Sequence, residues 1–327
     1  MVINIRISPD MLSITIPVFN EYKNIQPLYI KLVASLDKIG MPYEIIFIND
    51  GSSDGTEDEL KNLAQSDERI KVITFRRNFG QTAAMMAGID YASGSIIVPM
   101  DGDLQNDPSD IVRLIDKLNE GYDVVSGWRK DRKDNNLKRN IPSKMANNLI
   151  SRISGVYLHD YGCSLKAYRK EVVKDIKLYG EMHRFIPIYA FWEGGKVTEI
   201  SVTHHARTHG ISKYGMERVF KVLLDLIVVK FLAKYANRPI YVFGGFGFIA
   251  LFLSSLVSVS AIYLKLVHHV SFILTPLPLL AVTLFISGGM SILMGLLAEM
   301  VMRTYYESQG KSVYVVKDTL NFNKANH

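Results

Sequence analysis

Two long stretches without a single Asp, Glu, Lys or Arg dominate the last third of the chain. Residues 240–264 form one, about 25 residues long, and residues 270–298 the other, about 29. Each exceeds the ~20 residues that carry a helix across a bilayer core. A soluble fold would have to bury both on every side, whereas a membrane hairpin needs no such cover. The sequence KLVHH at 265–269, with Pro276 and Pro278, reads as the short turn between two spans. Lys230, Lys234 and Arg238 precede the first span, and Arg303, Lys311 and Lys317 follow the second, while the turn holds only Lys265. That asymmetry predicts both outer flanks on the cytoplasmic side.

The remaining composition narrows the class. Hydrophobic residues make up 48% of the 327, an excess concentrated in those spans. The net charge of +6 suits an anionic partner, but no dense Lys/Arg tract or nucleic-acid motif accompanies it. The single cysteine, Cys163, rules out an intrachain disulfide. The opening residues MVINIRISPDMLSITIP lack the apolar core and small-residue cleavage site of a signal peptide.

Residues 12–127 alternate short apolar runs with amphipathic stretches. Strands are predicted at 12–19, 43–50, 70–75, 95–100 and 122–127, and helices at 22–39, 56–65, 80–92 and 110–121. Such alternation predicts an α/β fold with a mostly parallel sheet, its β-branched strands covered on both faces. Ligands of these sheets bind beyond the carboxyl ends of the strands. The polar clusters fall at those ends: Asn20 and Glu21, then Asp50, Gly51 and Ser52, then Asp101 and Asp103. In MDGDLQNDP, Asp101 and Asp103 lie two positions apart on a predicted turn, within reach of one divalent cation, with the Gln105 amide oxygen two further on. Such a cation stabilises a departing diphosphate. No P-loop, strand-following GxGxxG, HExxH or GxSxG is present.

Taken together, ITIPVFNEYKNI, FINDGSSDGT, RRNFGQTAAMMAGIDYASG and MDGDLQNDP resemble the family 2 glycosyltransferases, whose fold is GT-A. DYGCSLKAYRKEVV and HHARTHGISKYG, followed by two spans, resemble the bacterial polyprenyl-phosphate members, relatives of dolichyl-phosphate mannose synthase. The resemblance implies a Rossmann-like catalytic domain over 1–213, an interfacial helix region over 214–239, transmembrane helices at 240–264 and 270–298, and a cytoplasmic tail over 299–327. It implies a bacterial inner-membrane protein that moves a sugar with inversion from a nucleotide sugar, expected to be a UDP-sugar with glucose as first choice, to undecaprenyl or another polyprenyl phosphate.

The same resemblance assigns residues. Pro17, Val18, Asn20, Glu21, Asp50 and Gly51 hold the nucleoside, Asp50 at the base and Glu21 at the ribose. Asp101, Asp103 and Gln105 hold Mg2+ or Mn2+ with the diphosphate. Arg129, Arg139 and Ser143 meet the acceptor phosphate, and Arg207, Ser212 and Lys213 close over both phosphates. Asp103, Arg129 and Asp160 are the candidate catalytic residues, with the choice of a base left open, because a phosphate monoester is already largely dianionic near pH 7. The role of Lys166 is left open, and Cys163 is read as a packing residue.

In 214–239, Glu217, Lys221 and Asp225 recur every four residues, which predicts a helix lying at the membrane surface. The apolar helix RFIPIYAFW at 184–192 reads either as core or as a lipid contact. Glycines 244, 245, 247, 288, 289 and 295 permit close helix packing, and a homo-oligomer through the spans is expected. Two rivals remain. A processive polysaccharide synthase usually carries a QxxRW motif, which is absent here; a silent nucleotide-binding scaffold would not need the DGD carboxylates.

Overall fold

A computed structural model describes residues 11–130, 147, 148, 150–152, 154–176, 178, 182–206, 240–308 and 314–322. Arg139, Ser143, Arg207, Ser212, Lys213 and the helix predicted over 214–239 lie outside the described residues. The chain divides into two units, residues 1–227 with 312–327, and residues 228–311.

The first unit is built on an eight-stranded sheet of order β7-β5-β6-β4-β1-β2-β3-β8. Its strands are β1 (Leu12–Val18), β2 (Tyr43–Asn49), β3 (Ile70–Phe75), β4 (Ile96–Pro99), β5 (Val124–Trp128), β6 (Lys166–Arg169), β7 (Val197–Ser201) and β8 (Val316–Leu320). β1 runs parallel to both β2 and β4, and β2 parallel to β3. β6 enters antiparallel between β4 and β5, and β8 closes the other edge antiparallel to β3. The five strands expected within 12–127 are present within a residue or two. β6, β7 and β8 are additions that the pattern of apolar runs does not mark.

The helices are α1 (Tyr22–Leu36), α2 (Thr56–Ser66), α3 (Gln81–Tyr91), α4 (Asp110–Asn119) and α5 (Ile186–Trp192). Ile25, Leu28, Leu32 and Leu36 recur on one face of α1, and Ile111, Leu114, Ile115 and Leu118 on one face of α4. Both stripes join Leu12, Ile14, Ile16, Ile45 and Phe47 in one buried core. Successive strand residues point to opposite faces, so Thr15 and Ile48 face α3, where Gly88 lets the helix lie close. α2 begins with Glu57, Asp58 and Glu59, carboxylates that suit the positive end of the helix dipole. In α5, Ile186, Pro187, Ile188 and Ala190 are buried and Phe191 is exposed, so this helix belongs mainly to the core.

The second unit is a helical hairpin of α6 (Ile240–Val267) and α7 (Leu277–Ser308). Within it, Phe243–Val267 and Leu277–Ala298 are long and apolar enough to cross a membrane. Most residues of both stretches are not buried, and Phe246, Phe248, Phe252, Leu279 and Phe285 are exposed. α7 starts at Leu277 rather than at 270, because residues 271–276 make a turn closed by Pro276 and a short 3-10 segment. Gly247 and Gly288 form the close crossing: a Cβ on Gly247 would stand 2.8 Å from the Gly288 carbonyl. Ser254 and Ser291 hydroxyls donate across it to the carbonyls of Ala281 and Phe243 at 2.7 and 2.8 Å.

Candidate active site

The carboxyl ends of β1, β2 and β4 lie side by side, which brings three polar loops onto one edge of the sheet. The loops after β1 and β2 are tied to each other. Asn20, in a left-handed conformation at φ 58°, accepts the Ser53 N–H at 2.8 Å, and its own N–H donates to Ser52 Oγ at 2.9 Å. The Glu21 N–H donates to Thr56 Oγ1 at 3.1 Å, and a Glu21 carboxylate oxygen accepts from Asn24 Nδ2 at 2.5 Å.

Asp50 closes the second loop. Its N–H donates to the Val18 carbonyl at 2.9 Å, and its carboxylate accepts the N–H groups of Phe79 and Gly80 at 2.7 and 2.9 Å. Burial pushes this carboxyl up from the ordinary Asp value, and the two N–H bonds oppose that rise. Gly51 follows at φ 71°, where a Cβ would stand 2.5 Å from the Arg77 carbonyl carbon. Only glycine fits there, and loop 76–80 therefore packs directly on the Asp50 turn.

The DGD turn sits beside it. Gly102 packs against β1, since a Cβ there would come within 2.8 Å of Val18 Cγ1 and 3.4 Å of the Pro17 carbonyl. Leu104 takes φ 62° and turns the chain so that the Gln105 N–H returns to Asp103 Oδ1 at 3.1 Å. Asp101 accepts from Gln81 Nε2 at 2.9 Å and is bonded by the Ser164 side chain, whose hydroxyl also accepts from Asn106 Nδ2 at 2.8 Å. Protein surrounds Asp101 densely, and burial together with the charge of Asp103 drives its carboxyl upward. Two carboxylates that repel each other across one turn are a donor set that Mg2+ or Mn2+ takes. Among the described residues no group of three or more His, Cys, Asp or Glu could hold a metal. A cation here would therefore complete its shell with substrate oxygens.

Arg129, just past β5, is held from the other side. Its Nε donates to Asp160 Oδ2 at 2.7 Å and its Nη2 to Asp160 Oδ1 at 3.0 Å. Both side chains are largely buried. Burial opposes the charge on Arg129, but the Asp160 carboxylate outweighs it and the guanidinium pKa is raised. Gly162 donates its N–H to Asp160 Oδ1 at 3.0 Å, which fixes the loop that carries Cys163 and Ser164. Lys166, whose role the sequence leaves open, is buried at the start of β6. Its ammonium donates to the carbonyls of Tyr161, at 3.3 Å, and Cys163, and burial brings its pKa down to about 8. Cys163 is buried with its thiol pushed up to about 11, so it packs.

A cavity of about 410 Å³ adjoins the DGD loop. Arg113, Lys130, Ser201, Thr203, His204 and His205 line it. The loop and this cavity are joined by the His205 N–H, which donates to the Gln105 carbonyl at 2.8 Å. Of the residues named from the sequence, the structure gathers Pro17, Val18, Asn20, Glu21, Asp50, Gly51, Asp101, Asp103 and Gln105 at one sheet edge. Arg129 and Asp160 stand as one ion pair. Gln81, Ser164 and the backbone of 79–80 join the site only through the fold; the motif RRNFGQT contains the glutamine, but nothing local says that it reaches an aspartate twenty residues on.

The family model described as Glycosyl transferase family 2 matches residues 13–177. The dodecaprenyl-phosphate galacturonate synthase of Rhizobium johnstonii is 44% identical over 316 residues, covering 94% of this chain and 92% of the relative. The undecaprenyl-phosphate 4-deoxy-4-formamido-L-arabinose transferase of Edwardsiella ictaluri is 34% identical and covers 96% of both chains. Among solved structures, glucosyl-3-phosphoglycerate synthase from Mycobacterium tuberculosis, in complex with Mn2+ and UDP-glucose, shares the fold at 16% identity. Its TM-score is 0.52, over 68% of this chain and 79% of that one.

Proposed function

The chain belongs to the family 2 glycosyltransferases, and from that premise we propose that it transfers a sugar from a UDP-sugar to a polyprenyl phosphate at the membrane surface. The observation that carries this reading is the sharing of one sheet edge by Asp50, Asp101 and Asp103, the first two tied together through residues 79–81. Asp50 offers carboxylate lone pairs to a base N–H, and Glu21, on the adjoining loop, takes the ribose. Asp101, Asp103 and Gln105 would hold Mg2+ or Mn2+, which when bound neutralises the diphosphate and favours its departure.

Arg129 binds the acceptor phosphate. Its side chain is oriented by Asp160, so a planar guanidinium is presented in a fixed direction. The acceptor needs little activation, since a phosphate monoester with a second pKa near 6 is mostly dianionic at neutral pH. The protein's task is to position that oxygen behind the anomeric carbon and exclude water, which implies inversion. Asp160, with both oxygens engaged by Arg129, serves as a positioning residue. Arg139, Ser143, Arg207, Ser212 and Lys213 complete the phosphate contacts in this reading.

The exposed apolar faces of α6 and α7 support membrane insertion, and the interfacial helix proposed over 214–239 would set the site at headgroup height. The chain leaves the catalytic sheet, passes through the hairpin and returns to the same sheet as β8. That connectivity supports two spans with both outer ends on one side, taken as cytoplasmic from the Lys/Arg distribution. The names of the relatives make a uronic acid and a modified pentose the first sugars to test beside glucose.

The test uses purified protein in detergent with Mg2+ or Mn2+, polyprenyl phosphate and labelled UDP-glucose, UDP-galacturonate and UDP-4-deoxy-4-formamido-arabinose. Label entering the organic phase, and lost with EDTA, is the expected result and names the sugar. Release of UDP without lipid labelling would overturn the acceptor assignment.

A further inference from the structure

The segment 314–322 returns from the hairpin to the catalytic sheet and is fastened there at several points. β8 pairs with β3, Lys317 Nζ meets Glu57 at 3.0 Å, and Asn321 Nδ2 donates to the carbonyls of Ala64 and Ile70 at 2.7 and 2.8 Å. At its near end Tyr314 is buried. Its ring stacks on Phe75 with centroids 5.1 Å apart and planes 16° apart, and its hydroxyl donates to Asp90 Oδ2 at 2.9 Å. The next residue, Val315, accepts the Arg76 N–H on its carbonyl at 3.1 Å.

These contacts fall on Phe75 and Arg76, at the start of the same loop that meets Asp50, Gly51 and Asp101. Phe75 meets Phe79 edge-on, with centroids 5.7 Å apart. The N–H groups of Phe79 and Gly80 hold the Asp50 carboxylate, the Arg77 backbone abuts Gly51, and Gln81 holds Asp101. Arg76, Arg77 and Asn78 are exposed, so the loop gains little order from core burial. Its shape is set where it is gripped, and the tail grips it at Phe75 and Arg76.

We propose that Tyr314 and Val315 are positioning residues of the nucleotide site, holding loop 76–80 so that Asp50 and Asp101 face the donor. The C-terminal strand is thus part of the donor machinery. This inference rests on the UDP-sugar reading given above.

The test compares full-length wild type with Tyr314→Ala, Tyr314→Phe and Lys317→Ala in detergent. UDP binding is measured by calorimetry with Mn2+, KM for donor and for acceptor separately, and amide hydrogen exchange over 76–81. Losing one aromatic pair should raise the UDP Kd and the donor KM of Tyr314→Ala about fivefold, leaving the acceptor KM within twofold. Exchange over 76–81 should rise in that variant. Tyr314→Phe, which keeps the ring stack, should behave as wild type, and so should Lys317→Ala, which loosens the strand away from the loop. Unchanged UDP affinity in Tyr314→Ala, or equal rises in both KM values, would overturn the inference. If Tyr314→Ala does not fold, Tyr314→Leu takes its place with the same readouts. A wild type that binds no UDP would instead remove the donor reading, and the inference with it.

Discussion

Arg129 and Asp160, 31 positions apart in sequence, form a two-pronged ion pair whose side chains are 14% and 13% exposed. Both carboxylate oxygens face the guanidinium. An acid held this way fixes the direction of an arginine, which is a positioning role. Asp160→Asn should therefore retain the shape of the kcat against pH profile while raising the acceptor KM. It should also lower stability by about 3 kcal/mol, as expected for breaking a buried pair. Loss of the acidic-limb titration of kcat in that variant would instead make Asp160 the base.

Removing Asp103 should abolish the reaction without unfolding the chain. We expect Asp103→Ala to lose about 100-fold or more of transfer, with a near-ultraviolet circular dichroism spectrum like that of wild type. Full turnover in this variant would exclude the DGD turn as the cation site.

The two glycines of the site should fail in different ways. Gly102→Ala meets a valine methyl at 2.8 Å, which a second substitution can remove. We expect it to raise the donor KM, with overpacking costing about 1–3 kcal/mol, and Val18→Ala to restore much of the loss. Gly51→Ala meets backbone of Arg77 at a φ of 71°, so no side-chain truncation should rescue it. Thermal melts and donor KM of the two double variants with Val18→Ala decide this.

Nucleotide affinity should depend on pH through Asp50. Its folded pKa is raised by burial, so the carboxylate is lost at a higher pH than in an ordinary Asp. UDP binding should weaken as pH falls through that raised value, and Asp50→Asn should show a flat response in the same range. Stability runs the other way. A carboxyl whose folded pKa is raised contributes fully below its unfolded pKa, and that contribution is lost as pH rises through the folded value.

Lys166 makes a separate prediction at alkaline pH. Its folded pKa of about 8 lies below the ordinary lysine value of 10.5. Between those values the unfolded chain binds more protons than the folded one, so stability rises with pH. The melting temperature of wild type relative to Lys166→Met should climb from pH 8 to 10.5. A constant difference would place the ammonium in water.

The sequence by itself determined the elements whose physics is local. Alternating apolar runs marked β1 to β5 and the helices between them, because a strand buried on both faces must be apolar throughout. Charge-free length marked α6 and α7, since an uncharged run of more than ~20 residues makes a helix long and apolar enough to cross a bilayer core. The polar strand ends Asn20, Asp50 and Asp101 followed, once the strands were ordered. Only the tertiary structure decided what depends on distant pairing. β6 is four residues, KAYR, with charge at both ends, and it becomes a strand because β4 and β5 leave a gap for it. β8 is polar and half-exposed, as an edge strand must be, so its sequence VKDTL carries no burial signal. The burial of Lys166, the bond from Gln81 to Asp101 and the stack of Tyr314 on Phe75 have the same origin. Each joins residues brought together by sheet order, and a side chain's partner across the fold leaves no trace in its own neighbours along the chain.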